Sequence, residues 1–139
     1  MRTIPILIAA AGLTLAAAAQ AAAPPPASPP LLKQALPDMP GEQVVVVRLK
    51  LPPAGAAAHP HRHPGSVVVY ITEGTARLGV EGQPVQVVRA GGTFFEPPGA
   101  LHTVAESASA TEPASAIAIM IVPDGAPLVL PPDDHSAHH

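Results

Sequence analysis

Apolar and polar residues between positions 44 and 122 follow the two-residue period of β-strands rather than the 3.6-residue period of helices. Residues 44–51 begin as an apolar run and then alternate, with Arg48 and Lys50 set between apolar neighbours. Residues 75–80 alternate in the same way. Because successive side chains of a strand point to opposite faces, both segments predict strands with one face turned to a core.

Turn signals divide the rest of this region into short apolar segments. The Glu-Gly pair at 81–82 predicts a tight hairpin turn, and Pro-Pro-Gly at 97–99 predicts another. Residues 106–113 predict a loop, and residues 31–39 predict either an edge strand or a short turn of helix. The predicted strands cover 44–51, 67–72, 75–80, 83–88, 93–96, 101–105 and 114–122. Seven or eight short strands with turns between them predict an all-β sandwich or barrel.

The start of the chain has the features of a secretory signal peptide. Arg2 supplies a positive charge, residues 4–19 are apolar, and Ala-Gln-Ala at 19–21 places small residues where a signal peptidase cleaves. We therefore predict cleavage after residue 21 or 22 and a periplasmic or secreted protein. The alternative is a membrane anchor, but the apolar run is short and alanine-rich for a span of about 20 residues, so we expect no stable membrane anchor.

The composition predicts one small domain. The signal peptide at 1–21 precedes an Ala/Pro-rich leader at 22–40, a β domain at 41–123 and a Pro/Asp/His-rich tail at 124–139. A chain of 139 residues accommodates one such domain. Because aromatic residues are only 2% of the chain, the core must be built from Val, Leu, Ile and Ala.

Charge and cysteine content narrow the possible chemistry. The formal net charge is −3 and no basic cluster is present, so we expect no nucleic-acid partner. The chain has no cysteine, which excludes disulfides, thiolate nucleophiles and thiolate metal sites. Any metal ion must therefore be bound by histidine and carboxylate side chains.

Three histidines lie within five residues, at His59, His61 and His63. Residues two apart on a strand face the same way and lie roughly 6.5–7 Å apart, so two imidazoles at that spacing can bind one metal ion. A His-x-His pair alone is a weak signal, since a polar loop can be rich in histidine by chance. The sequence around it has to decide between these interpretations.

The spacing of glycines and histidines resembles the two motifs of the cupin family. The first motif is matched by Gly55, His61, His63 and Gly74, and the second by Gly91, Pro97, Gly99 and His102. The resemblance implies a small cupin-type β-barrel, a double-stranded β-helix or RmlC-like jelly roll. It also implies a divalent transition metal (Fe, Mn, Ni, Zn or Cu) bound by His61, His63 and His102, and a homodimer.

Two positions depart from the family's motifs. Val67 stands where the first motif has a metal-binding glutamate, and Glu106 stands where the second has asparagine. Glu96 is a candidate replacement for the missing ligand or a catalytic carrier of protons; the alternative is a rim residue that hydrogen-bonds the adjacent turn. His59 is a second candidate proton carrier, placed at the mouth of the site or beside a ligand rather than on the metal.

These residues lead to three hypotheses. The first is a small metal-dependent enzyme, of oxygenase or Lewis-acid type, acting on a small and mostly apolar molecule. The second is a non-catalytic protein that binds a small ligand or the metal itself. The third is a structural barrel that has lost its metal, supported by Val67 but opposed by the three histidines in their motif positions.

Overall fold

The computed structural model describes residues 29–56 and 59–134, and these form eight β-strands. The predicted signal peptide lies outside the described residues. The strands are β1 (Leu32–Ala35), β2 (Glu42–Leu51), β3 (Ser66–Glu73), β4 (Thr75–Val80), β5 (Gln86–Arg89), β6 (Thr93–Glu96), β7 (His102–Ser107) and β8 (Ala114–Pro123). Within the described ranges no helix is long and apolar enough to cross a bilayer.

The strands form two antiparallel sheets. One sheet has five strands in the order β1-β2-β8-β3-β6, and the other has three in the order β5-β4-β7. Aliphatic side chains from both sheets meet in one buried cluster, which includes Val45 and Ile71 from the first sheet and Leu78 from the second. The described part of the chain is thus a small β-sandwich, which confirms the prediction of an all-β fold.

Some strand boundaries differ from the sequence prediction because backbone hydrogen bonds extend or end a strand at another residue. The segment predicted at 31–39 contains an edge strand, because β1 pairs with β2 along its whole length. β5 starts at Gln86 rather than at residue 83, since Gln83 donates its backbone N–H to Val80 in the hairpin turn and Pro84 has no N–H to donate. β7 continues to Ser107, which pairs with Ala76 of β4.

The interior face of the five-stranded sheet carries a row of residues that reaches the edge strand β6. Val45 pairs with Met120, Met120 pairs with Val67, and Val67 pairs with Glu96. All four residues are buried. Residues directly opposite in adjacent strands share a face of the sheet, so Glu96 lies in line with three apolar core residues.

The chain does not leave the domain after β8. Leu130 is buried and forms an antiparallel bridge with Arg62, and Leu128 packs against the core. The side chain of Arg62 donates hydrogen bonds to Pro132 O at 2.7 Å and to Gly99 O at 2.6 Å. Part of the segment predicted as a tail therefore lies beside the His-x-His segment.

Candidate metal centre

Backbone pairing brings the two histidine motifs together. His61 and His102 form an isolated antiparallel bridge, with His61 N to His102 O at 3.2 Å and His102 N to His61 O at 2.8 Å. The His-x-His segment precedes β3, whereas His102 is the first residue of β7. The bridge therefore holds side chains from segments about forty residues apart in the sequence next to each other.

The Pro-Pro-Gly turn holds the second histidine of the pair. Gly99 N donates to His63 O at 2.9 Å, and Gly99 O accepts the hydrogen bond from Arg62. Gly99 has a φ of 69°, a left-handed conformation that residues with a Cβ rarely adopt. Gly99, the glycine of the second motif, thus binds the His-x-His segment through both its own N–H and its own carbonyl.

One nitrogen atom from each of His61, His63 and His102 lies within 4.8 Å of the other two. The ring centroids are 4.9 Å apart for His61 and His63 and 5.2 Å apart for His61 and His102. The ring of His102 also stacks on Phe94, at a centroid distance of 6.2 Å. The structure therefore brings together the three histidines that the resemblance predicts as ligands.

Backbone carbonyls orient two of the three rings. His61 Nδ1 donates to His59 O at 2.9 Å, and His63 Nδ1 donates to Leu128 O at 2.5 Å. Because a carbonyl only accepts, each of these imidazoles carries its proton on Nδ1 and keeps a lone pair on Nε2. This is the arrangement in which a histidine serves as a metal ligand through Nε2.

Burial keeps two of the imidazoles neutral. Desolvation, together with smaller contributions from the nearby His61 and His63, lowers the pKa of His102 from 6.5 to about 4. The pKa of His63 is lowered as well, mainly by burial and against a raising effect of the hydrogen bond to Leu128. Neutral imidazoles have the free lone pair that metal binding requires.

Glu96 lies against this group and not at the rim of the turn. It is 2% exposed, and burial raises the pKa of its carboxyl from 4.5 to about 7. Its Oε2 is 3.2 Å from His102 Nδ1 and 3.7 Å from His63 Nε2. Because the neighbouring imidazoles are neutral, these contacts are not ion pairs. Among the described residues, Glu96 Oε2 and both ring nitrogens of His102 are buried without a hydrogen-bond partner.

Two other residues of interest lie apart from the three rings. The side chain of His59 is exposed, and its backbone carbonyl is what contacts His61. Glu106 is buried, but its oxygens bind Arg77 Nη1 at 2.7 Å and Gly55 N at 2.9 Å. Glu106 therefore has a structural role, since both of its oxygens are already hydrogen-bonded. A catalytic role of His59 stays a prediction.

A cavity of about 600 Å³ opens onto the donor atoms. Its walls are mostly aliphatic and come from both sheets and from the segment after β8, with Val47, Leu49, Val69, Leu78, Met120 and Leu128 among them. His61, His63, His102 and Glu96 line the same cavity. The cavity therefore has mostly apolar walls, with the three imidazoles and the Glu96 carboxyl grouped on one part of its surface.

Sequence reasoning missed the contribution of the segment after β8. Leu128 supplies both a wall of the cavity and the carbonyl that orients His63. The sequence signal for this contribution was the apolar pair Leu128 and Leu130 within a Pro-rich segment, since mobile polar tails contain few large apolar residues. Its position over His63 depends on contacts between residues far apart in the sequence.

The fold and the site define a small β-sandwich protein with a donor set of three histidines, of which His63 and His102 are buried and His61 is half-buried. The sequence model of the cupin domain matches residues 47–120, more than half of the chain, and the chain belongs to the cupin family. No curated protein sequence matches the chain.

The chain is similar to several solved structures of bacterial proteins. A Klebsiella pneumoniae protein with a double-stranded β-helix domain is 22% identical, with a TM-score of 0.51, over 73% of this chain and 80% of that chain. The DMSP lyase DddQ from Ruegeria pomeroyi is 22% identical, with a TM-score of 0.48, over 68% of this chain and 46% of that one. A Thermus thermophilus protein is 31% identical, with a TM-score of 0.47, over 58% and 72%. The first similarity supports the fold, and none of them assigns an activity.

The donor atoms fit a divalent transition metal. Two imidazoles have Nε2 lone pairs, the third has two unpartnered nitrogens, and a carboxylate oxygen without a partner lies beside them. Buried polar atoms are almost always paired, so a cluster of unpaired ones calls for a bound species. Imidazole and carboxylate ligands suit Mn, Fe, Ni, Cu and Zn, and they do not select one of these by themselves.

Proposed function

We propose that this chain is a secreted or periplasmic cupin that binds a divalent metal through His61, His63 and His102. We further propose that it acts as a small metal-dependent enzyme, of oxygenase or Lewis-acid type, on a small molecule. The observation that carries the proposal is the convergence of three imidazole nitrogens within 4.8 Å at an apolar cavity.

The residues of the cavity determine what kind of molecule it suits. A bound divalent ion supplies Lewis acidity and open positions for a substrate atom, water or dioxygen. The aliphatic walls exclude water and favour an apolar substrate, while the three histidines, by holding the ion, would direct the polar group of that substrate to one end of the cavity. Glu96 lies close enough to the donor atoms either to carry a proton or to bind the metal, and His59 is the exposed candidate for proton transfer.

A carrier or sensor of a small ligand is the second candidate function. Besides the three histidines and Glu96, the ionisable residues lining the described cavity are Arg48 and Lys50, which are both exposed. A pocket with so few acid–base groups suits reversible binding as well as it suits catalysis.

Metal analysis of three purified proteins tests the metal site. Wild-type protein is expected to hold about one divalent ion per chain, and His102→Ala to lose at least 100-fold in affinity for it. His59→Ala removes an exposed imidazole from the same region and is expected to bind as wild type does. Since all three proteins carry the same histidine-rich C terminus, their differences report on the site. A wild-type protein that binds no metal more tightly than His102→Ala contradicts the proposal.

Activity assays then separate the two candidate functions. Oxygen uptake by the metal-loaded protein with β-diketones, thiols or phenolic compounds supports an oxygenase. Ligand-dependent thermal stabilisation without turnover supports the carrier. His102→Ala is the control in both assays, because it keeps the cavity and removes a ligand.

The location is tested by the N terminus of the mature protein. We expect the periplasmic or secreted form to begin at residue 22 or 23, as the Ala-Gln-Ala sequence predicts. Mass spectrometry of the protein from a fractionated host measures this directly. An intact N terminus on protein in the cytoplasmic fraction contradicts the proposal.

We also propose a homodimer formed through the outer face of the five-stranded sheet. Phe95 is 54% exposed there, and it pairs with Val68, which pairs with Ile119. Tyr70 and Ile121 are exposed on the same face, which makes a contiguous apolar surface. Five strands at about 4.8 Å spacing give a face on the order of 600 Å², near the about 800 Å² that each partner contributes to a standard interface. A second copy covers such a face with an identical one.

Light scattering coupled to size exclusion measures the assembly. Wild-type protein is expected at the mass of a dimer, and Phe95→Lys with Ile119→Lys at the mass of a monomer. Arg89→Glu, a charge change at an exposed position of the three-stranded sheet, is the matched control and is expected to stay dimeric. A wild-type monomer at micromolar concentration contradicts the dimer and leaves the metal site unaffected.

A further inference from the structure

Glu96 lies directly opposite the position where the first cupin motif lacks its carboxylate. Val67 of β3 pairs with Glu96 of β6, and both side chains face the interior, at 0% and 2% exposure. Directly opposite residues of an antiparallel pair have Cβ atoms about 4.5–5.5 Å apart. A carboxylate on residue 96 therefore reaches the same region of the interior as a carboxylate on residue 67.

The distances from Glu96 to the histidines, one within and one about 0.1 Å above the expected range, are close to those between atoms that bind one ion. Its Oε2 is 3.2 Å from His102 Nδ1 and 3.7 Å from His63 Nε2, the nitrogen that is free of the Leu128 carbonyl. Ligand atoms that bind one metal at about 2.0–2.2 Å lie roughly 3.0–3.6 Å from one another. Among the described residues, no hydrogen bond satisfies Glu96 Oε2 or either nitrogen of His102, so both groups lack the partner that burial requires.

No basic side chain compensates Glu96 in the part of the chain that the structure describes. Arg62 is the basic residue within the His-x-His segment, and it donates to the carbonyls of Gly99 and Pro132 instead. Arg77 is paired with Glu106. A buried carboxylate without a cation is costly, which is resolved when a metal ion supplies the positive charge.

We propose that Glu96 is the fourth protein ligand of the metal, a carboxylate moved by one strand from position 67 to position 96. This inference rests on the proposed metal site at His61, His63 and His102. It gives Glu96 the role of a ligand rather than of a proton carrier. It also adds a hard, anionic oxygen to three imidazoles, which favours Mn²⁺ and Fe²⁺ relative to a site made of imidazoles alone.

The test moves the carboxylate back across the strand pair. Glu96→Gln is expected to weaken Mn²⁺ binding at least 100-fold, measured by calorimetry, and to change the visible spectrum of the Co²⁺-loaded protein. Val67→Glu combined with Glu96→Val restores a carboxylate from the opposite strand and is expected to recover Mn²⁺ affinity to within about tenfold of wild type. A residue that only orients His102 through a hydrogen bond is not replaced by a carboxylate on another strand, so recovery identifies a ligand.

Two further variants keep the test decisive. Glu106→Gln removes the other buried carboxylate without touching the imidazoles and is expected to keep Mn²⁺ affinity within a few-fold. Glu96→Asp keeps the carboxylate but draws it back by one methylene, and intermediate affinity is expected even if the double variant does not fold. Equal Mn²⁺ affinity of wild type and Glu96→Gln overturns the assignment of Glu96 and leaves the three-histidine site standing. A wild type that binds no metal overturns the proposed function itself.

Discussion

Two buried carboxylates of this protein have opposite surroundings. Glu106 is 7% exposed, and its two oxygens accept hydrogen bonds from Arg77 and from the backbone N–H of Gly55. Glu96 is 2% exposed, and its Oε2 has no hydrogen-bond partner among the described residues. Burial therefore does not separate a structural carboxylate from a functional one. The missing partner does, because a fold rarely leaves a buried charge unpaired unless something else binds it.

The same comparison accounts for both departures from the cupin motifs. Glu106 stands at the asparagine position, where it links β7 to β4 and to the start of the loop that leads to His61. Glu96 stands across from Val67, where the first motif lacks its glutamate. One substitution is explained by a local network of hydrogen bonds, and we propose that the other is compensated by Glu96 from a neighbouring strand.

The largest expected effect concerns Glu96 in the metal-free protein. Burial raises its pKa from 4.5 to about 7, so the unfolded chain releases this proton at a lower pH than the folded one. The contribution of Glu96 to the stability of wild type therefore falls as the pH rises from 4.5 to 7, and Glu96→Gln has no such contribution. The stability difference in favour of Glu96→Gln should grow to about 3 kcal/mol and stay constant above pH 7, at roughly 1.4 kcal/mol per pKa unit.

Urea unfolding with a chelator present, at several pH values from 4.5 to 8, measures this difference. The lowered pKa values of His63 and His102 make both proteins less stable as the pH falls below 6.5, so that effect cancels in the comparison. A stability difference that does not vary with pH contradicts the environment described for Glu96.

The next effect concerns Glu106. Glu106→Ala leaves the Gly55 N–H and the Arg77 guanidinium without their acceptor and should cost about 2 kcal/mol of unfolding free energy at pH 7. Glu106→Gln keeps an acceptor and should cost less. Denaturant unfolding of the metal-free proteins measures both. Equal stability of Glu106→Ala and wild type shows that this network contributes nothing.

The smallest effect is expected for Arg77. Its side chain is 44% exposed, so solvent screens its ion pair with Glu106. Arg77→Leu should cost about 1 kcal/mol or less at low ionic strength, and the cost should shrink further in 1 M NaCl. The loss in Glu106→Ala should persist in salt, because the bond to Gly55 N is short-ranged and neutral on the donor side. If Arg77→Leu loses much unfolding free energy and the loss does not depend on salt, Glu106 stabilises the protein mainly through Arg77 rather than through the Gly55 N–H.

Short sequence segments were enough to predict most strands of this protein and the three histidines of its candidate metal site. The two-residue alternation at 75–80 and the turn residues at 97–99 predict β4, β6 and the turn before β7, because each depends on neighbouring residues alone. The resemblance to the two cupin motifs implies the donor set of His61, His63 and His102, which the structure brings together. The strand and turn signals depend on residues that lie close together along the chain, and each histidine motif is likewise a short segment.

Tertiary structure alone decided the surroundings of the donor atoms. Neither the pairing of Val67 with Glu96 nor the hydrogen bond from His63 to Leu128 can be read from nearby residues, since 29 and 65 positions separate the partners. Strand register determines which side chain reaches the interior opposite Val67, and the path of the chain after β8 determines which carbonyl orients His63. Sequence alone therefore left the role of Glu96 open, because a carboxylate at the rim and one beside three imidazoles differ only in long-range packing.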